Sequence, residues 1–170
     1  QLGTAFSVQQ DSASTVTFGA YGAGKNGVRM VRANCTSPGL FANNKKPVPQ
    51  NGQRRYRYVV RAKGVSGAMN LLMRRWNFNG TVEGSYADKN NTLTTDWQTL
   101  TWETDLNQAS GVDGAAFGIY CHPSNAEILI DSFKVYDITE EVTIKANSAA
   151  ITSLTNTVTQ NGQDITAQAN

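Results

Sequence analysis

Charge is scarce in this sequence. Asp, Glu, Lys and Arg make up 16% of the 170 residues, against roughly 25% in an average soluble domain. The net charge of +2 is too small for nucleic acid to be the expected partner. Arg54, Arg55, Arg57, Arg61 and Lys63 cluster, but on a strand the odd-numbered four share a face and Arg54 does not. There is one histidine, His122, beside Pro123, and it suggests no Ser–His–Asp arrangement. Glu103 and Asp105 share a strand face and mimic a glycosidase pair, yet two carboxylates near a turn read as a solvated edge. The expectation is a non-catalytic protein. The two cysteines, Cys35 and Cys121, show no metal-ligand spacing. Cys121 closes an apolar run, so a buried thiol is favoured over a disulfide. No stretch of about 18 apolar residues exists to span a membrane. No signal-peptide pattern is visible in these residues. The sequence starts abruptly at Gln1 and stops in mid-pattern at Asn170, and is expected to be part of a longer protein.

What is present is short strands between turns. Phe6–Val8, Thr15–Phe18 and Val28–Ala33 read as strands among punctuating glycines. Residues 34–53 carry Pro38, Pro47 and Pro49 and are expected to be a long loop. The clearest strand is Tyr56–Ala62. There Tyr56, Tyr58, Val60 and Ala62 alternate with Arg57, Val59 and Arg61, giving one buried and one basic face. Residues 63–67 read as a turn. In Met69–Phe78, Met69, Leu71 and Met73 form one face; Asn70, Leu72, Arg74, Trp76 and Phe78 form the other. A Gly- and Asn-rich stretch follows, then strands at Trp97–Trp102, Ala115–Cys121 and Ile128–Tyr136. Such spacing predicts a sandwich or barrel over residues 1–138.

The pattern changes at Thr139. Ile144, Ile151, Val158 and Ile165 recur every seven residues, with Asn147, Leu154, Asn161 and Gln168 at the second core position. Thr, Asn and Gly162 give poor helix propensity, so a helix over 139–170 needs partners. A coiled coil built on Ile144, Ile151, Leu154, Val158 and Ile165 is the favoured reading.

Residues Arg54–Gly64, Met69–Arg74, Asp96-Trp-Gln-Thr-Leu-Thr101 and Ile128-Leu-Ile-Asp-Ser-Phe-Lys-Val135 together resemble carbohydrate-binding modules of the kind attached to xylanases and glucanases. The resemblance spans roughly residues 28–138 as a pattern, without one diagnostic motif. It implies an all-β, jelly-roll (galactose-binding-like) β-sandwich. The tail from Ala146 to Ile165 resembles helical stretches of tailed-phage tail-tip, host-specificity and fibre proteins, which are usually trimeric. Together these imply a glycan-binding, host-recognition module in a phage tail. It would face the extracellular medium on the virion, self-associate as a homotrimer through 139–170 and contact other tail proteins.

The resemblance places the strands at 69–77 and 115–121 in one ligand-facing sheet. Sugars need aromatic surfaces for their C–H faces and planar polar groups for their hydroxyls. Trp76 and Phe78 are the stacking candidates, Asn70 and Arg74 the hydrogen-bonding ones. Tyr120 shares their face, His122 extends it, and Tyr86 and Tyr21 are expected in loops at its rim. Trp97 is expected in the core and Trp102 outside it. Asp131 stands where similar modules often hold a structural calcium. However, only Asp11 precedes Glu83 among acidic residues, and the family's acidic N-terminal motif is lacking. Two other readings stand beside this one: a structural spacer or docking domain of the tail without a sugar site, and an accessory module of a polysaccharide-degrading enzyme.

Overall fold

A computed structural model describes residues 6–34, 36–47, 54–67, 69–79, 82–106, 114–122 and 125–168. The chain divides into two compact units, Gln1–Asp137 and Ile138–Asn170. Among the described residues the first contains ten strands: β1 (Phe6–Gln9), β2 (Thr15–Gly19), β3 (Gly27–Arg32), β4 (Gly39–Pro47), β5 (Arg54–Gly67), β6 (Asn70–Asn79), β7 (Val82–Thr92), β8 (Gln98–Leu106), β9 (Gly114–His122) and β10 (Ala126–Asp137). They form two antiparallel five-stranded sheets, ordered β1-β4-β9-β6-β7 and β2-β3-β10-β5-β8. This is the expected β-sandwich. The second unit is one helix, α1 (Thr139–Gln168).

Alternation puts the core between the sheets. From the first sheet come Leu40, Leu71, Met73, Phe117, Ile119 and Cys121; from the second come Val16, Met30, Tyr58, Val60, Ile128, Ile130 and Val135. Tyr58 is fully buried. Its ring lies 5.2 Å from Trp102, 5.8 Å from Phe133 and 6.0 Å from Phe117. Its hydroxyl donates to the carbonyl of Arg74 across the sandwich, at 2.6 Å. Burial pushes its phenol well above the usual range. The Cys121 thiol is free, buried and pushed up to about 12 by burial. Cys35 lies outside the described residues.

Four local expectations need correction. Within residues 34–53, Gly39–Pro47 is strand β4, hydrogen-bonded to β1 and β9. Pro38 precedes it and Pro47 ends it, so neither interrupts the ladder; residues 48–53 lie outside the described residues. Residues 63–67 continue β5 rather than turn. The polar stretch after residue 79 contains β7, which among the described residues pairs only with β6. An edge strand needs no apolar alternation because water covers it. The tryptophans are reversed: Trp102 stands opposite Tyr58 and packs on the core. Trp97, partly exposed, lies beneath Arg61 and Lys63 at 5.9 and 5.4 Å. It precedes β8, so the strand's parity never applied to it.

Two outcomes follow from this packing. Tyr58→Phe keeps the ring and removes the hydrogen bond to the Arg74 carbonyl, and should cost about 0.5–1.5 kcal/mol, read as a lower urea midpoint. Cys121 should resist a thiol reagent at neutral pH in the folded protein and react once it is unfolded.

Candidate functional site

Strands β6 and β9 are neighbours, as are β6 and β7. Because Leu71, Met73 and Arg75 face inward, Asn70, Leu72, Arg74, Trp76 and Phe78 stand on the outer face of the first sheet. Register places Tyr120 opposite Leu72, and His122 opposite Asn70. On the other side, Tyr86 is opposite Trp76 and Asp88 opposite Arg74. The face expected from the sequence is therefore assembled, with Tyr86 on a strand rather than in a loop. Tyr21 belongs to the turn between β2 and β3, in the other sheet.

Arg74 is the centre of the face. Its Nε and Nη2 donate to both oxygens of Asp88, each at 2.7 Å. This fork-to-fork pairing fixes the guanidinium plane and raises the arginine's proton affinity further. The guanidinium carbon sits 4.1 Å from the Tyr86 ring centre, 5.7 Å from Trp76 and 5.8 Å from Tyr120. Three aromatic side chains thus surround one cation. Asp88 is a partner the sequence did not reveal; only the β6–β7 register finds it.

The aromatics themselves are unequal. Tyr86 is 56% exposed, whereas Trp76 is 6% and Tyr120 7% exposed. Trp76 lies over Gly118, where an added Cβ would approach its ring to 3.0 Å. Tyr120 lies over Gly39 in the same way, at 2.7 Å. Phe41 of β4 leans on both, 5.5 Å from Trp76 and 5.4 Å from Tyr120. Trp76, Ala116 and Tyr120 form a second apolar cluster, with Phe41, Leu72 and Phe78 packed on it. Trp76 is therefore a floor of the face rather than an open platform.

At one end of this face lies an open depression of about 320 Å³. Leu72, Arg74, Tyr120 and His122 meet Gln9, Thr36 and Ser37 there. The His122 Nδ1 stands 2.7 Å from Nη1 of the buried Arg32. An arginine only donates, so Nδ1 is the acceptor and the ring proton resides on Nε2. Burial, then Arg32, then Arg74 lower the His122 pKa. Asn70, across the strand pair from His122, has a buried side-chain oxygen without a hydrogen-bond partner.

The acidic candidates have other duties. Glu103 is held by Arg57 and Arg55 at 2.8 and 3.2 Å, and the Arg57 hydrogen bond leads the causes that lower its pKa. That is the reverse of what a glycosidic general acid requires. Asp131 accepts the Ala23 N–H at 2.9 Å, and faces Lys25 at 3.7 Å and Arg61 at 4.0 Å. The carbonyl oxygens of Lys25 and Asn26 border the same turn at Gly22. No group of three metal-ligating side chains forms among the described residues.

On the helix, Ile144, Ile151, Leu154, Val158 and Ile165 are 62–68% exposed, and no residue of α1 is buried. No helix among the described residues is long and apolar enough to cross a membrane.

No protein-family model and no curated protein matches this chain. Solved structures do match in fold, carbohydrate-binding modules among them. A family 16 carbohydrate-binding module aligns over 75% of this chain and 89% of its own, at 16% identity and a TM-score of 0.50. A CBM4 module aligns over 78% and 86%, at 14% identity and a TM-score of 0.53. The CBM22-1–GH10 portion of xylanase 10B from Clostridium thermocellum, complexed with xylohexaose, matches 76% of this chain at 13% identity and a TM-score of 0.54. The match takes up 25% of that longer chain. At these identities the likeness establishes the fold: a jelly-roll β-sandwich.

The lowered His122 pKa has a stability consequence. Its contribution is full above the unfolded imidazole value of about 6.5 and is lost as pH falls below it, because the unfolded chain takes the proton first. Between about pH 7 and pH 5, wild type should lose urea resistance more steeply than His122→Gln. Parallel losses would show that His122 is not the responsible group.

Proposed function

We propose that the sandwich is a non-catalytic carbohydrate-binding module that recognises a glycan on a host cell surface, as part of a tailed-phage tail protein. The observation that carries the sugar reading is the outer face of the first sheet. It holds an exposed tyrosine, a guanidinium fixed by Asp88, and a depression ringed by hydrogen-bonding groups, in a fold shared with carbohydrate-binding modules. Tyr86 supplies the accessible ring, Arg74 and His122 supply donors, and Trp76 and Tyr120 support them from below. The phage context, the virion location and contacts with other tail proteins rest on the sequence resemblance of residues 146–165.

The stem completes the reading. Five aliphatic side chains left open along a 30-residue helix are unfavourable in water. Self-association of α1 as a trimer would bury them, leaving Asn147 and Asn161 to set register. Three weak sites presented together would then gain avidity. The burial of Trp76 lends some weight to the second reading, a docking or spacer domain, because it removes the largest ring from the surface.

On a glycan array, wild type should bind and Tyr86→Ala should bind about two- to tenfold more weakly, since one stacking contact is worth roughly 0.5–1.5 kcal/mol. Trp76→Ala is the poorer probe, since it would also open the cluster over Gly118. Silence from a folded wild-type protein in its native oligomer would favour the docking reading. In sedimentation equilibrium, wild type should run as a trimer and the double substitution Ile151→Asn, Leu154→Asn as a monomer. A monomeric wild type would reject the stem.

A further inference from the structure

Resting on the reading of this face as a sugar site, we infer that it recognises the end of a glycan, one or two terminal sugar units, rather than an internal stretch of a long polysaccharide. Three features of the face lead there.

The first is the closure of its aromatic strip. Gripping a chain along its length takes consecutive open rings, one beneath each sugar contacted. Trp76 and Tyr120 run in the right direction but are 6% and 7% exposed. Phe41 leans against both. The glycines beneath them, Gly118 and Gly39, let the rings settle against the sheet instead of standing clear of it. Tyr86 is open, but Arg74 lies against it. Among the described residues of this face Tyr86 is the one mostly exposed ring, and Phe41 and Phe78 are half-buried against the Trp76 cluster, where a chain-gripping face needs a row of open rings.

The second is size. The depression at Arg74 and His122 holds about 320 Å³, at the bottom of the roughly 300–1,000 Å³ usual for small-ligand sites. That space suits one or two sugar rings.

The third is the arrangement of polar groups. They converge on the depression from separate segments: Gln9 from β1, Thr36 and Ser37 from the approach to β4, Arg74 from β6, His122 from β9. An internal sugar unit continues the chain at both ends and must be allowed to leave the site on two sides. A terminal unit ends on one side and presents there the additional free hydroxyl, which groups converging from several segments can close around. The donors include the His122 Nε2–H, and Arg74 Nη1, which lies outside the Asp88 fork. Asp88 already neutralises Arg74, so the site suits hydroxyls better than a carboxylate.

The test is calorimetry of the full chain against gluco- and xylo-oligosaccharides of one to six units, with a glycan array run alongside. Affinity that reaches its plateau by two units, and falls at least tenfold in a folded Ser37→Tyr variant that fills the depression, supports the inference. Affinity that keeps rising through four to six units overturns it while leaving the sugar-binding reading in place. Binding unaffected by Ser37→Tyr also overturns it, by removing the depression from the site. Absence of binding to every oligosaccharide and every arrayed glycan overturns both.

Discussion

The hydrogen bond from the Tyr58 hydroxyl to the Arg74 carbonyl ties the two sheets together beneath the candidate site. Tyr58 belongs to β5 in one sheet and Arg74 to β6 in the other. A buried phenol without a partner would cost a few kcal/mol, so the bond favours one relative placement of the strands. Trp102, Phe117 and Phe133 pack around the ring and reinforce that choice. The carbonyl of Arg74 is gripped from the core side, and its side chain leaves on the opposite face. The backbone beneath the central cation of the site is therefore anchored by the core.

The same alternation has a cost one residue further on. Arg75 points inward and is 5% exposed. Its guanidinium donates to Thr104 at 3.2 Å and to Asn77. Burial lowers its proton affinity without bringing an arginine near neutrality. Thus two adjacent arginines have opposite fates because they occupy opposite faces of one strand. Arg74 becomes part of the surface chemistry, while Arg75 is accommodated by polar groups inside the sandwich.

The outer face of the second sheet is organised differently. Its arginines meet carboxylates in turn: Arg29 with Glu127, Arg55 and Arg57 with Glu103, and Arg61 with Asp131. What looks like a basic strip in the linear sequence is partly compensated by shared carboxylates, each contact weak where water reaches it. The stem has the reverse problem: its charges are few, its apolar stripe is open, and threonine hydroxyls such as those of Thr152 and Thr159 bond back to its own carbonyls.

The sequence by itself determined the period-two alternation, and with it the sandwich, the Tyr58 face of β5, and the grouping of Asn70, Arg74, Trp76, Phe78 and Tyr120. It also determined the heptad stripe of α1. These depend on spacing along one segment, and spacing is local. Strands β4 and β7 were not legible, because an edge ladder and a proline-bounded strand carry little apolar pattern of their own. Tertiary structure alone decided that Asp88 meets Arg74, that Tyr86 rather than Trp76 is exposed, and that Asp131 faces two cations. Register between strands sets those pairings, and the missing Cβ atoms of Gly118 and Gly39 set the depth of the rings. Burial depends on what the rest of the chain places above a residue, which no single stretch of sequence contains.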